Sequence, residues 1–500
     1  MNHLTRRTFL KTSAFAAAGA ALTARSWSQV AGANGDVRVA VIGLGGRGLG
    51  SHTPSLLRLP GVRIVALCDP DTDALERAKK AMREKGAAVK KFTDVRELLA
   101  FPDLDAVTIA TPNHWHSLGA IWACQAGKDV YVEKPVSHNV WEGRQLVAAA
   151  AKYQRVVQAG TQIRSGEGLR EAVAWVRAGN LGRVIASRGF CYKRRESIGK
   201  TSGPQPVPPA VNYDQWCGPA PMEPLRRKRL HYDWHWYDVT GNGDVGNQGI
   251  HQMDVARWFL GETGLPRSTL SVGGRLGYED DGNTPNTQIV VHDYASAPLI
   301  FEVRGLPAGA AAPVPASGAA EGRRGARSGM DKYRDTTVSI GNVIECEGGR
   351  VVTDSYFTAT AFDKAGKVVR EFKGNDTHMA NFIDVVRSRK VADLRGPILE
   401  GHLSSALCHL GIISHKLGQA VPAGQLREKI KGNGPLAEAF GRMAGHLAAN
   451  GVDLDKTPAT LGVPLEVDAK AERFRGEFAK IANPLLTRQY RAPFVVPKIA

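Results

Sequence analysis

Three features of the sequence predict an α/β chain with two unlike halves: an N-terminal doubly wound parallel sheet, then an α+β domain on a largely antiparallel sheet. Residues 36–160 alternate short apolar runs with helical patterns, as a parallel sheet and its crossovers require. From Gly182 the apolar runs alternate with period two and no regular helix separates each pair, which points to antiparallel pairing. At the head of the first half stands VRVAVIGLGGRGLG, residues 37–50, a buried strand that breaks into glycines.

That turn, Gly43-Leu44-Gly45-Gly46-Arg47-Gly48, fits G-x-G-x-x-G where a strand passes into a helix. Gly43 allows the tight turn, Gly45 leaves room for a pyrophosphate, and Gly48 lets the helix pack on its strand, with the helix N-terminus facing the phosphates. A second strand, 63–68, ends in Asp69, 21 residues after Gly48, the distance at which an acid accepts hydrogen bonds from the adenosine ribose. Together these mark a Rossmann dinucleotide site. Asp69 favours NAD, because a 2′-phosphate beside it would meet like charge. Arg47 could bridge such a phosphate, which keeps NADP as the alternative.

The remaining elements follow in order. After Asp69 come a helix at 72–85, a strand at 106–110, a helix at 116–126, a strand at 130–132, a helix at 141–153 and a strand at 156–159. In the second half the strands fall at 184–192, 270–276, 287–294, 299–304 and 337–345. Helical patterns return at 378–389 and 401–417, then near 434–448 and 469–481, before an extended tail at 488–497. Residues 199–224 have the composition of an ordered loop, and 307–328 (PAGAAAPVPASGAAEGRRGARS) that of a mobile insertion. The expected domains are 36–160, 161–425 and a C-terminal extension, 426–500.

Residues 1–33 stand apart. TRRTFLK at 5–11 resembles a twin-arginine export signal, followed by an alanine-rich run at 14–24 and small residues at 31–33 suited to cleavage. The run is too short to span a bilayer, so an exported protein without stable membrane insertion is expected. Removing the four basic residues of this stretch lowers the formal charge from +17 to +13. The other basic residues are spread along the chain without a nucleic-acid-binding motif, and nucleic acid is not an expected partner. The six cysteines form no C-x-x-C pair and suggest neither zinc nor a disulfide framework. His114/His116 and His231/His235 have ligand spacing but no third partner, so no metal is expected.

GLGGRG, ATPNHWH at 110–116 and AGKDVYVEKP at 126–135 together resemble the Gfo/Idh/MocA family, relatives of glucose–fructose oxidoreductase and inositol dehydrogenase, over roughly residues 37–420. The resemblance implies a Rossmann domain followed by an open, largely antiparallel sheet domain, with a small carbohydrate or polyol substrate between them. It also implies NAD or NADP chemistry, and homo-oligomers (dimer or tetramer) formed through the exposed face of the second sheet. Lys134, just beyond a buried strand, inherits the role of proton acceptor, since desolvation and a cationic nicotinamide would lower its pKa. Thr111, Pro112, Asn113 and His116 should form the loop under the nicotinamide, with Glu133 and Gln162 also at the cofactor. Arg164 is divided between substrate contact and an interdomain ion pair. In relatives the segment matching 247–251 reads D-x-G-x-H. His251 matches, but Asn247 stands where the acid is expected, and an amide cannot stabilise an imidazolium by charge. The two share a face if a helix begins by Asn247. Tyr232, Trp234, His235 and Trp236 suit a sugar ring, whose C–H face is apolar and whose rim is hydroxylated.

The expected function is that of an exported NAD(P)-dependent oxidoreductase, transferring hydride between a tightly bound nicotinamide and a carbohydrate or polyol hydroxyl. A glycosidase that oxidises C3 transiently and eliminates the aglycone is the alternative, and a sugar-binding relative without catalysis the third.

Overall fold

The computed structural model describes residues 35–309 and 329–499; the expected export signal and nearly all of the 307–328 insertion lie outside them. Strands β1 (Val37–Ile42), β2 (Val62–Cys68), β3 (Lys90–Phe92), β4 (Ala106–Ile109), β5 (Asp129–Val132) and β6 (Val157–Ala159) form a parallel sheet in the order β3-β2-β1-β4-β5-β6. The order reverses between β1 and β4, which opens a crevice at their carboxyl ends. Helices α1 (Thr72–Glu84), α2 (Asn113–Gln125) and α3 (Val140–Lys152) make the crossovers. Asp71 caps α1 by accepting from the amides of Asp73 and Ala74, and Asn139 caps α3 through Glu142. β3 is exposed and carries two lysines, so it gives no apolar run to read.

Helix α4 (Glu167–Arg177) leads into the second domain. Its sheet contains β7 (Val184–Tyr192), β8 (Ser268–Gly274), β9 (Thr287–Asp293), β10 (Leu299–Arg304), β11 (Ile340–Cys346), β12 (Gly349–Thr353), β13 (Ala359–Asp363), β14 (Val368–Phe372), β15 (Gln419–Val421) and β16 (Ala459–Leu461). The order is β14-β13-β12-β11-β7-β10-β9-β8-β16-β15, and only the β7/β10 pairing in that path is parallel. Strand alternation serves two layers. Leu299, Phe301 and Val303 pack against α5 (Gly249–Leu260), while Ile289, Val291 and Ile300 meet a C-terminal layer on the other face. Helix α6 (His378–Ser388) returns to the first sheet, where Phe382 and Val385 join Val39 and Val41 in one core, so residues beyond 161 complete the nucleotide domain. Helix α7 (Ile398–Lys416) follows.

The C-terminal extension has a structural role that the sequence does not announce. Helices α8 (Ala423–Ile430) and α9 (Gly434–Ala449) lay Leu426, Phe440 and Met443 on the outer sheet face. Over β7 and β11 the same face is covered by Met330 and Tyr333. The face expected to stay open for pairing of copies is thus largely covered within one chain. The helix expected at 469–481 is instead a hairpin of β17 (Leu465–Asp468) and β18 (Arg473–Arg475), followed by the short turn Ala479–Ala482. Positive φ at Glu472 and Gly476 interrupts any helix there. The tail then crosses back, with Phe494 packed edge-on against Trp115 and Arg491 paired with Asp214.

Candidate active site

A cleft of about 850 Å³ opens at the β1/β4 crevice and runs to the second sheet. Gly43, Gly45, Gly46, Arg47 and Asp69 line one end, and Lys134, Asn247 and His251 the other. Gly43 has φ of +85°, and a Cβ there would lie 2.7 Å from the Ala110 carbonyl, so the β1 turn requires glycine. A Cβ on Gly48 would sit 1.8 Å from the Gly43 carbonyl oxygen. At Gly45 and Gly46 a Cβ would meet no atom within 4 Å: both backbones face open cleft. That bare backbone beside a helical start is the cradle a pyrophosphate needs, so these residues fit the dinucleotide.

Asp69 is buried, with one carboxylate oxygen accepting from the Leu44 amide (2.7 Å) and the other from the Asp71 amide (3.0 Å). Burial raises its pKa and the two amides oppose the rise. It therefore fixes the glycine turn while lining the ribose end. Leu44 takes part only through that amide, and neither Leu44 nor Gly48 lines the cleft, which corrects their expected direct contact with cofactor. Arg47 turns away from the ribose end. Its Nε donates to Glu133 at 2.6 Å, so it does not bridge a 2′-phosphate in this arrangement.

Glu133 is the hub of the other end. The same oxygen that accepts from Arg47 also accepts from His52 Nε2 (3.0 Å) and Gln162 Nε2 (3.1 Å); burial pushes the Glu133 pKa up, but Arg47, His52 and Lys134 together hold it well below the usual carboxylate range. Gln162 also donates to the Tyr131 hydroxyl (2.8 Å). Lys134 follows, joined to Pro135 by a cis peptide bond. His116 is clamped between the carbonyls of Pro135 (2.6 Å) and Thr111 (2.8 Å), tying the two motif loops together, and burial lowers its pKa. Asn113 donates to Asn242 (3.0 Å) across the domain boundary, while Thr111 and Pro112 line the floor.

The Lys134 amine is half-buried in the cleft wall and donates to the backbone carbonyl of Asn247. Burial brings its pKa down to about 8; Glu133 and Asp244 raise it, while Arg47 and Lys193 lower it further. Asn247 ends the short helix Gly243–Asn247, and α5 begins separately at Gly249, so no continuous helix carries Asn247 and His251. Both nevertheless line the cleft. The carboxylates nearest this segment have other partners: Asp244 is bidentate with Arg195 at 2.7 Å, and Asp254 pairs with Arg164 at 2.8 Å.

Arg164 accordingly lies outside the cleft lining, which corrects its expected substrate role. It is buried between Asp254, Glu400 and the Trp258 ring, an ion-pair network between the domains. Trp236 is also outside, buried beneath the Arg195 guanidinium. Tyr232, Trp234 and His235 do line the cleft. His235 stacks on Trp234 (3.7 Å between centroids), and its Nδ1 donates to the Tyr232 carbonyl, leaving Nε2 as an acceptor; burial lowers its pKa to about 3.

Sequence reasoning missed Tyr356 and Lys193, and read His231 only as half of a histidine pair without seeing its contact with the nucleotide domain. Tyr356, in the turn between β12 and β13, sets its ring 5.2 Å from His251 and accepts from Gln248. Lys193 lines the cleft at the end of β7. His231 donates to Asp71 (2.8 Å), and around it the amides of Thr72 and Asn212 pair with the carbonyls of Ala210 and Pro70. None of these carries a local signal, because each acquires its neighbour from a distant segment.

This combination of parallel nucleotide sheet, second sheet and shared cleft defines a two-domain protein built on a dinucleotide-binding fold. Residues 37–161 match the model of the oxidoreductase family, NAD-binding Rossmann fold, and 172–281 match the C-terminal alpha/beta domain of the same family. These two stretches match the Gfo/Idh/MocA oxidoreductase family, and the first domain is an NAD-binding one. It is 37% identical over 177 residues to a protein named glycosyl hydrolase family 109 protein 2 of Shewanella sp. (strain ANA-3), an alignment covering 31% of this chain and 39% of that one. The levoglucosan dehydrogenase of Pseudarthrobacter phenanthrenivorans is 26% identical over 255 residues, 49% of this chain and 56% of that one. The matched region thus spans well under two thirds of these relatives. The WlbA dehydrogenase from Bordetella pertussis, solved with NADH and UDP-GlcNAcA, shares the fold with a TM-score of 0.53 at 18% identity, covering 75% of this chain and 95% of that one. Among the described residues, no group of three or more His, Cys, Asp or Glu could hold a metal, and no helix is long and apolar enough to cross a membrane.

Proposed function

We propose that the chain is an exported NAD-dependent oxidoreductase that removes hydrogen from a carbohydrate hydroxyl, with Lys134 as the proton acceptor. The observation that carries this reading is the half-buried Lys134 amine, its pKa lowered to about 8 by desolvation, in the same cleft as the glycine turn and His251. When bound, the nicotinamide supplies the acceptor for the carbon-bound hydrogen and its electron pair. Lys134 takes the hydroxyl proton onto Nζ, and Glu133, fixed by three donors, holds the chain that presents it. His235 offers an acceptor to a sugar hydroxyl, and Trp234 offers an apolar face.

Export rests on the paired arginines at Arg6 and Arg7, and it implies that the nucleotide stays bound through the cycle, reduced by one substrate and reoxidised by another. The 205–237 segment supports retention, because its contacts with Pro70, Asp71, Thr72 and Asp94 lie across the adenosine end. Assembly into dimers or tetramers would need a surface other than the covered part of the second sheet.

A second reading is favoured by the relatives named as glycosyl hydrolase family 109 proteins, at 36–37% identity. In it the same cleft would oxidise C3 of a glycoside to a ketone, and the acidified C2 proton would be lost as the aglycone leaves C1 and is protonated. Water would add at C1 of the resulting enone with a proton returning to C2, and C3 would regain its hydride. A panel of glycosides and free sugars separates the two. Accumulation of oxidised sugar supports the oxidoreductase, and free aglycone with no net oxidised product supports the glycosidase. Release of no nucleotide from heat-denatured protein, together with no turnover of any sugar, would overturn both.

A further inference from the structure

We infer that a second small-molecule site lies behind the 241–247 segment, shaped for a small neutral polyhydroxylated ligand. A cavity of about 230 Å³, several times the space of one water, is lined by the turn at Gly241 and Gly243, the far end of α7 and the tail at Leu485–Arg488. It shares no lining residue with the NAD cleft. Five side chains at its wall each keep a buried polar atom without a partner in the protein: Thr284 Oγ1, Gln288 Oε1, His409 Nδ1, His415 Nδ1 and Arg488 Nε. Thr284, Gln288 and His409 are themselves 5%, 0% and 3% exposed. Buried polar atoms are normally satisfied, so this concentration at one cavity calls for an occupant that satisfies them.

The chemistry of these atoms selects it. Gln288 Oε1 only accepts and Arg488 Nε only donates, while Thr284 and a neutral histidine do either. An anion leaves the Gln288 oxygen facing charge of its own sign, and an ammonium does the same to the arginine. The cations already have carboxylates: Lys416 pairs with Asp238 at 2.8 Å and Arg488 with Glu142 at 3.2 Å. Burial holds the pKa of His409 down to about 3, which keeps its ring neutral. Hydroxyl groups answer all five atoms, and Val245, Ile412 and Leu485 give apolar walls to the carbon skeleton. An occupant would press on the segment whose other side holds Asn113 through Asn242 and Lys134 through Asn247.

The proposal does not depend on the redox reading. Glycerol and D-glucose serve as probes, with the nucleotide-loaded protein crystallised in their presence and their binding followed in solution by saturation-transfer NMR. Expected are ligand density bonded to Gln288 and Thr284, and a solution affinity about tenfold weaker in Thr284→Val/Gln288→Leu but unchanged at this site in Lys134→Met. Ordered waters only, binding at crystal concentration only, or an unchanged affinity in the double variant would overturn it. If the double variant fails to fold, Thr284→Val alone and the two measurements on the unmodified protein decide.

Discussion

Replacing Lys134 with methionine should abolish turnover while making the protein more stable. The folded-state pKa is about 8 against an ordinary 10.5, so the native structure holds the ammonium less well than the unfolded chain does. At about 1.4 kcal/mol per pH unit, the depression costs about 3 kcal/mol when the lysine is charged. Methionine removes that cost and fills the space, but it strands the Asn247 carbonyl, which returns about 1 kcal/mol. A net gain of about 2 kcal/mol is expected. The sign depends on pH. Between about 8 and 10.5 the unfolded state binds more protons, so native stability rises across that window. The advantage of the variant is complete below it and gone above it. Denaturant unfolding at pH 7 and pH 11 measures this, and steady-state turnover should fall by about 10²–10⁴. A variant that is less stable at pH 7, or that keeps a tenth of the activity, refutes the desolvated-amine reasoning.

Other perturbations test neighbouring parts of the account. Oxidation by the unmodified protein should rise about tenfold per pH unit up to about pH 8 and then level, because the neutral amine is the active form; a flat pH profile would exclude Lys134 as the base. Gly45→Val places its side chain in open cleft, so the fold should survive while nucleotide retention, read by mass spectrometry after heating, is lost. Asn247→Asp adds a carboxylate beside Lys134, and the midpoint of the pH profile should move up by about one unit. Arg164→Gln leaves Arg257 as the one remaining cation for Asp254 and Glu400 and should cost about 3 kcal/mol in unfolding, with no selective change in KM.

The nucleotide half was legible because its signals are local. A βα turn needs its glycines within a few residues, and the acid at the end of β2 follows at a set distance, so Gly43, Gly45 and Asp69 stand out in a single reading. What Asp69 and Arg47 bind was not legible, since their partners depend on side-chain direction. The second domain was read by its apolar strands. Strands β12 to β14 were missed because they are short, and β14 is exposed along nearly its whole length. Tyr356 was missed with them, as the turn that presents it has no meaning until those strands pair. Arg164 shows the limit most plainly. Sequence placed it beyond the fifth strand, equally able to meet substrate or an acid, and the long-range approach of Asp254 and Glu400 decided the matter.

The measurement that bears most directly on a nicotinamide working beside Lys134 is a single turnover with a sugar deuterated at the carbon to be oxidised. Deuterium should appear on the protein-bound nucleotide, with the near-ultraviolet absorbance of a reduced nicotinamide rising in step in the unmodified protein and not in Lys134→Met. Sugar consumed or cleaved with the label still on its carbon and no change in absorbance would contradict the account.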